Sequence, residues 1–313
     1  MSGPTCPRRI GGAMTALVTP FRDRAFDDAA MTAHVEWQLL SGIDGLLVCS
    51  QTGEGPALTA GERSRAIEIC VELAESKVPV IVATGTYDTA TTIEETLHAQ
   101  RLRADAALVT VPYYSKPTQS GVLHHFRQLA THTELPLIVH NQPSHTAIDL
   151  TAATVAQLAE IPGIVGIADS SGDISRIDRW RALLPDRFGL YTSNDACALA
   201  FTIAGGHGCF SSAANIVPRL FQSMQHSAVF DSLAVSRSLG ERLQPLFSAL
   251  ARESEPATVK HALSQVRSVR ADVRLPLVGV ADDTAAAIHA ALTRVQCEST
   301  GRFAFHQTCH TRL

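Results

Sequence analysis

Eight short apolar runs, each followed by a polar turn, constrain this chain more than any other feature of it. They fall at residues 13–18, 45–49, 79–83, 106–111, 136–140, 164–167, 189–192 and 208–210. Between them lie amphipathic stretches with charged and apolar residues three and four apart, as at 60–75, 91–102 and 119–132, which is helical spacing. Strand and helix in regular alternation are the mark of βα units joined into a parallel sheet. The runs are continuously apolar rather than alternating, as expected of parallel strands covered by helices on one face and by a filled interior on the other. Eight such units predict an α/β fold, a (β/α)8 TIM barrel over residues 1–228. Residues 229–313 are rich in helix formers and predict a C-terminal helical region with a break near Pro276. From Cys297 onward no periodicity is visible, and a poorly ordered end is expected there.

Composition narrows the class of function. A hydrophobic content of 45% supports a large core, and no apolar run approaches the roughly 20 residues needed to span a bilayer. The first ten residues hold Arg8 and Arg9 without an apolar stretch behind them, so no secretory signal is expected and a cytoplasmic location is. A net charge of −4 without a basic stripe argues against nucleic acid and for a small-molecule partner. The seven cysteines have no CxxC or CxxxC spacing, so neither zinc nor a disulfide framework is implied, and most read as small hydrophobes. His124 and His125 are adjacent on a predicted helix and point about 100° apart, which does not make a metal pair. Gly205, Gly206 and Gly208 precede a strand and read as a turn rather than a phosphate loop. No cofactor is expected.

In barrels of this kind chemistry sits at the carboxyl ends of the strands. The polar residues there are Ser50-Gln51-Thr52-Gly53-Glu54 after strand 2, Tyr113-Tyr114-Ser115-Lys116 after strand 4 and His140-Asn141-Gln142-Pro143-Ser144-His145 after strand 5. Strand 6 leads into Ala168-Asp169-Ser170-Ser171, strand 7 into Ser193-Asn194-Asp195 and strand 8 into Ser211-Ser212.

Several of these segments, in this order, resemble the dihydrodipicolinate synthase and N-acetylneuraminate lyase family over about residues 10–280. The motifs are Ala16-Leu17-Val18-Thr19-Pro20-Phe21, Thr52-Gly53-Glu54, Pro112-Tyr113-Tyr114 with Lys116-Pro117 and Gly121, Asn141 with Pro143, Gly166-Ile167 before Ser171-Gly172-Asp173, and Lys260-His261-Ala262-Leu263 with Val273-Arg274-Leu275-Pro276-Leu277. The resemblance implies a class I aldolase-type reaction. A strand-6 lysine condenses with a 2-oxo acid, a strand-5 tyrosine relays protons with a hydroxyl residue of the strand-2 turn and a tyrosine of a neighbouring subunit, and backbone N–H groups of that turn hold the carboxylate. It also implies a homotetramer, a dimer of dimers.

Carried over residue by residue, the match breaks where the chemistry should be. The lysine position is Ala168, the strand-5 tyrosine is His140, the residue before Thr52 is Gln51, and His145 stands where the synthases have an arginine for the second substrate. Alanine offers no nucleophile, so an imine at that position is impossible. Either a lysine was deliberately replaced to trap a ligand, or the protein has abandoned it. Four departures in one pocket favour the second account. On that account His140 is the expected acid–base group near neutral pH, Tyr114 a relay and Gln51 an orienting amide. Thr52, Gly53, His145 and Ser211 are expected to bind substrate, Glu54 to fix its turn and Tyr113 to pack at a subunit contact. The functions implied are a lysine-independent lyase acting on a small carbonyl or 2-oxo-acid-like compound, a pyruvate-type aldolase carrying a lysine-to-alanine replacement, or a noncatalytic protein that binds a small molecule in the same pocket.

Overall fold

The computed structural model describes residues 10–302. Eight parallel strands close into a barrel: β1 (Gly12–Ala16), β2 (Gly45–Val48), β3 (Val80–Ala83), β4 (Ala106–Thr110), β5 (Leu137–Asn141), β6 (Ile164–Asp169), β7 (Gly189–Thr192) and β8 (Gly208–Ser211). They are paired in chain order, and β1 closes the ring by pairing with both β2 and β8. The observed strands agree with the apolar runs to within a residue or two, and β6 departs in a way that matters. It continues through Ala168 and Asp169, so both lie inside the strand and not in the turn after it.

Seven helices of more than one turn connect the strands, with a single helical turn at Pro143–Thr146 in the strand-5 loop: α1 (Asp28–Leu40), α2 (Ala60–Ala74), α3 (Thr89–Arg101), α4 (Gln119–His132), α5 (Ala152–Ala159), α6 (Arg176–Leu183) and α7 (Ala198–Ile203). Five of them start on a side chain that accepts a backbone N–H of the first turn, namely Asp27, Thr59, Asp88, Thr118 and Thr151. Thr59 and Glu62 form a reciprocal capping box. Satisfying these otherwise unpaired donors sharpens each loop-to-helix transition, and so fixes where each β-to-α loop ends.

The barrel separates two apolar regions. Leu46, Val48, Val80, Val82 and Val109 face the helices, whereas Met14, Ala16, Leu47, Ile81, Leu108, Ile138, Ala168, Tyr191 and Phe210 fill the interior. Gly166 makes room for the Tyr191 ring, since a Cβ there would lie 2.8 Å from it and 2.7 Å from the Gly189 carbonyl oxygen.

After β8 come α8 (Pro218–His226), a π-helical turn at Ser227–Asp231, α9 (Leu233–Leu250), α10 (Glu255–Val266) and α11 (Asp282–Arg302). Residue 229, expected to begin the C-terminal region, falls inside the π-helical turn. The absence of helical periodicity expected from Cys297 does not end the helix there, since α11 continues to Arg302. Ile288, Ala291, Leu292 and Val295 are buried at helical spacing, and once such a stripe has nucleated a helix each further residue adds a hydrogen bond. The expectations for the first nine residues and for 303–313 lie outside the described residues. Among the described residues, no helix is long and apolar enough to cross a membrane.

Candidate active site

A cavity of about 250 Å³ opens at the carboxyl end of the barrel. Its floor is the top of the interior core: Ala16, Leu47, Leu108 and Phe210 belong to both. Thr110, His140, Ala168 and Tyr191 form one row across β4 to β7, each directly opposite the next. In a parallel sheet such neighbours point to the same face. Ala168 is fully buried in that row, so its methyl group closes the interior where a longer side chain would rise toward the cavity.

His140 is held at both ring nitrogens. Nδ1 lies 3.2 Å from the Thr110 hydroxyl and Nε2 2.9 Å from the Ser170 hydroxyl, and all three residues line the cavity. Burial, assisted by the neighbouring His145, lowers its pKa to about 4. This corrects the sequence-based picture of an imidazole that changes charge near neutral pH. The ring stays neutral there because the barrel wall desolvates the cation. A neutral imidazole between two hydroxyls still moves protons: it accepts one at the lone-pair nitrogen while releasing the other from the N–H, with no imidazolium intermediate.

The strand-2 turn meets the strand-5 loop through Gln51. The Gln142 amide donates to Gln51 Oε1 at 3.0 Å, Gln51 Nε2 lies 2.8 Å from His145 Nε2, and His145 Nδ1 lies 3.0 Å from the Ser144 hydroxyl. All four residues line the cavity. Burial holds His145 below the usual histidine pKa. If Gln51 donates to Nε2, the His145 proton sits on Nδ1 and points at Ser144. Thr52 also lines the cavity, whereas Gly53 supports it from behind, accepting the Thr19 hydroxyl at 2.7 Å. A Cβ at Gly53 would come within 2.7 Å of the Leu17 carbonyl oxygen, so the turn requires glycine.

Glu54 faces away from the cavity. Its carboxylate pairs with Lys260 and accepts the Arg274 backbone N–H at 2.8 Å. Lys260 is fully buried, lies 4.0 Å above the Phe21 ring and donates to the Asp272 carbonyl at 2.9 Å.

Sequence reasoning missed the opposite wall. Asp195, after β7, accepts the Ser212 hydroxyl and the Ala213 N–H, each at 2.8 Å, through Oδ2. Glu255, the first residue of α10, accepts the Thr52 hydroxyl at 3.2 Å through Oε2, and Oε1 lies 3.5 Å from the Ser212 hydroxyl. Burial and then Asp195 raise the Glu255 pKa to about 7, and burial raises that of Asp195. Phe247, Leu250 and Ala251 of the α9 end complete this wall. The C-terminal region therefore builds part of the site, and a search confined to strand ends could not find it. The strand-7 residues were on view in the sequence, but nothing there showed that a second carboxyl would face them.

Two expected residues lie elsewhere. Ser211 is fully buried and accepts the Ala214 N–H at 3.0 Å, so it braces the turn while its neighbour Ser212 faces the cavity. Tyr114 is 91% exposed and is not part of the lining, so within one chain it does not meet His140. Its partner in sequence, Tyr113, packs edge-on against Tyr87 with centroids 6.0 Å apart. The two helical histidines take different partners, His124 the Ser120 carbonyl at 2.8 Å and His125 the Thr89 hydroxyl at 3.0 Å.

Closed parallel barrel, strand-end cavity and acid–base side chains define a TIM-barrel enzyme with a small-molecule site. The chain belongs to the dihydrodipicolinate synthetase family, whose model matches residues 9–295. It is 41% identical over 276 residues to a 4-hydroxy-tetrahydrodipicolinate synthase of Methylobacterium radiotolerans, covering 88% of this chain and 92% of that one. It is 40% identical to the corresponding synthase of Sphingopyxis alaskensis, over 90% of this chain and 98% of the relative. Among solved structures it is similar to the dihydrodipicolinate synthase of Acinetobacter baumannii complexed with pyruvate, with TM-score 0.90, 34% identity and 92% and 99% of the two chains covered. By family the protein is a lyase of the aldolase type.

Proposed function

We propose that this protein is a lyase-type enzyme that makes or breaks a bond beside the carbonyl of a small substrate without forming an imine. The observation that carries this is the location of its lysines. The chain has three: Lys77, Lys116 and Lys260. None is among the cavity-lining residues, Lys77 is on the surface, and Lys260 is buried against Glu54. Among the described residues that line the cavity, covalent capture of a carbonyl by an amine has no candidate.

The surroundings of Ala168 support natural divergence over a single replacement. Two of the departures, Gln51 and His145, are hydrogen-bonded to each other, and a third, His140, is engaged at both ring nitrogens. A change confined to position 168 would leave them unaccounted for. In the proposed reaction the substrate carbonyl sits beside His140, above the apolar floor of Ala16, Leu47, Leu108 and Phe210. His140 takes the proton next to the carbonyl at one nitrogen and gives its own to the Ser170 or Thr110 hydroxyl, which hands its proton on to the carbonyl oxygen so that the enol forms without net charge, while Gln51 and Thr52 orient the substrate. The exposed Tyr114 fits a contact between copies in a dimer of dimers, since an aromatic ring gains by burial against a twofold-related surface. Light scattering at micromolar concentration checks this, and a monomer contradicts it.

Proton exchange tests the chemistry without knowledge of the second substrate. Small ketones, pyruvate included, are incubated in deuterated water and their α-proton signals followed by NMR. The wild type should accelerate exchange, and His140→Gln, which keeps hydrogen bonding, should slow it by about 10²- to 10⁴-fold. Equal exchange by the variant removes His140 from the mechanism. Ligand-induced stabilisation with no exchange from any ketone supports the noncatalytic alternative, which the missing nucleophile favours.

A further inference from the structure

We propose that the wall formed by Asp195 and Glu255 is a cation subsite holding an ammonium group of the substrate, so that the carbonyl compound taken here carries an amine at this end and not a carboxylate. The inference deepens the function proposed above and rests on it only for the carbonyl half.

Among the residues lining the cavity there is no lysine or arginine. Its ionisable residues are His140, His145, Asp195 and Glu255, and burial disfavours the charged form of both histidines. The two carboxyls thus set the sign of the site. Among the described residues neither has a cation within ion-pair distance, although each lies mostly out of water. A buried carboxylate without a counter-charge is expensive, and an incoming ammonium supplies the missing partner, whereas an incoming carboxylate adds repulsion. Each carboxylate keeps acceptor capacity beyond the bonds described, having about four lone-pair sites on two oxygens.

An independent feature of the same cavity also points to a donor-rich ligand. Ser50 is only 9% exposed, lines the cavity two residues before Thr52, and its hydroxyl oxygen has no hydrogen-bond partner in the protein. Ser193, two residues before Asp195, also lines the cavity, and its buried hydroxyl oxygen is likewise unpartnered. Buried hydroxyls are rarely left so. An ammonium group has three N–H donors and no acceptor, which matches two carboxylates and a hydroxyl. Among the described residues no group of three or more His, Cys, Asp and Glu could hold a metal ion, so an organic cation is the better occupant.

The test compares three ketones that differ only beside the carbonyl: aminoacetone, hydroxyacetone and pyruvate. Calorimetric titration of the full chain at pH 7 should rank aminoacetone at least about tenfold tighter than hydroxyacetone, with pyruvate weakest, as expected when one buried charge pair forms. Glu255→Gln should bring aminoacetone to within about threefold of hydroxyacetone. Pyruvate binding tightest, aminoacetone no better than hydroxyacetone, or a preference that survives Glu255→Gln would each overturn the proposal. The wild-type ranking decides even if the variant does not fold. Absence of proton exchange with this ranking intact would count against the proposed reaction and not against the subsite.

Discussion

Two acidic centres, one buried and one half-buried, meet the strand-2 turn two residues apart, and they are built in opposite ways. Glu54 is closed: Lys260 neutralises it, Arg274 donates to it, and nothing about it faces the cavity. Glu255, reached through Thr52, is open: it faces the cavity beside a second carboxyl and is held by hydroxyls alone. The difference teaches how to sort buried charge in this barrel. A charge matched by the protein is part of the scaffold, and one left for something else to match belongs to the site.

The largest effect should come from breaking the closed centre. Lys260→Met leaves Glu54 buried without its cation and should lower the free energy of unfolding by about 3–5 kcal/mol, read from urea denaturation. A loss below about 1 kcal/mol would mean that the pair does not anchor the turn. Glu255→Gln in the same assay should act the other way. The Glu255 pKa is raised in the folded protein from 4.5 to about 7, so the folded state binds more protons between these values. Wild-type stability therefore loses this contribution as pH rises from about 4.5 to about 7. Glutamine removes that loss, and the variant should gain about 1–3 kcal/mol relative to wild type between pH 5 and pH 8. His34, His125 and His140 have the opposite sign, since their folded pKa of about 4 lies below 6.5 and stability falls as pH drops through that window. They are common to both proteins and cancel in the difference. A difference that does not change with pH would contradict the open character of Glu255.

The barrel was legible because its strands are continuous apolar runs, a pattern that buried parallel strands require whatever their function. Ala168 and His140 were legible as residues, through the family motifs around them, but the behaviour of His140 was not. Sequence supplies the reference pKa of an imidazole, and only the packing of β4, β5 and β6 around it shows the ring to be desolvated. Glu255 was illegible for a different reason. It belongs to a helix beyond the barrel and reaches the cavity only because α9 and α10 fold back over the strand ends. Tyr114 shows the converse: a motif residue in the right order that one chain leaves outside its own cavity.

The central claim is that the site works without an imine, and reductive trapping tests it most directly. The protein is incubated with pyruvate and borohydride and its intact mass recorded, alongside Ala168→Lys as a control for a lysine at that position. The account predicts an unmodified mass for the wild type. A stable pyruvate adduct on the wild-type chain, mapped to Lys77, Lys116 or Lys260, would contradict it.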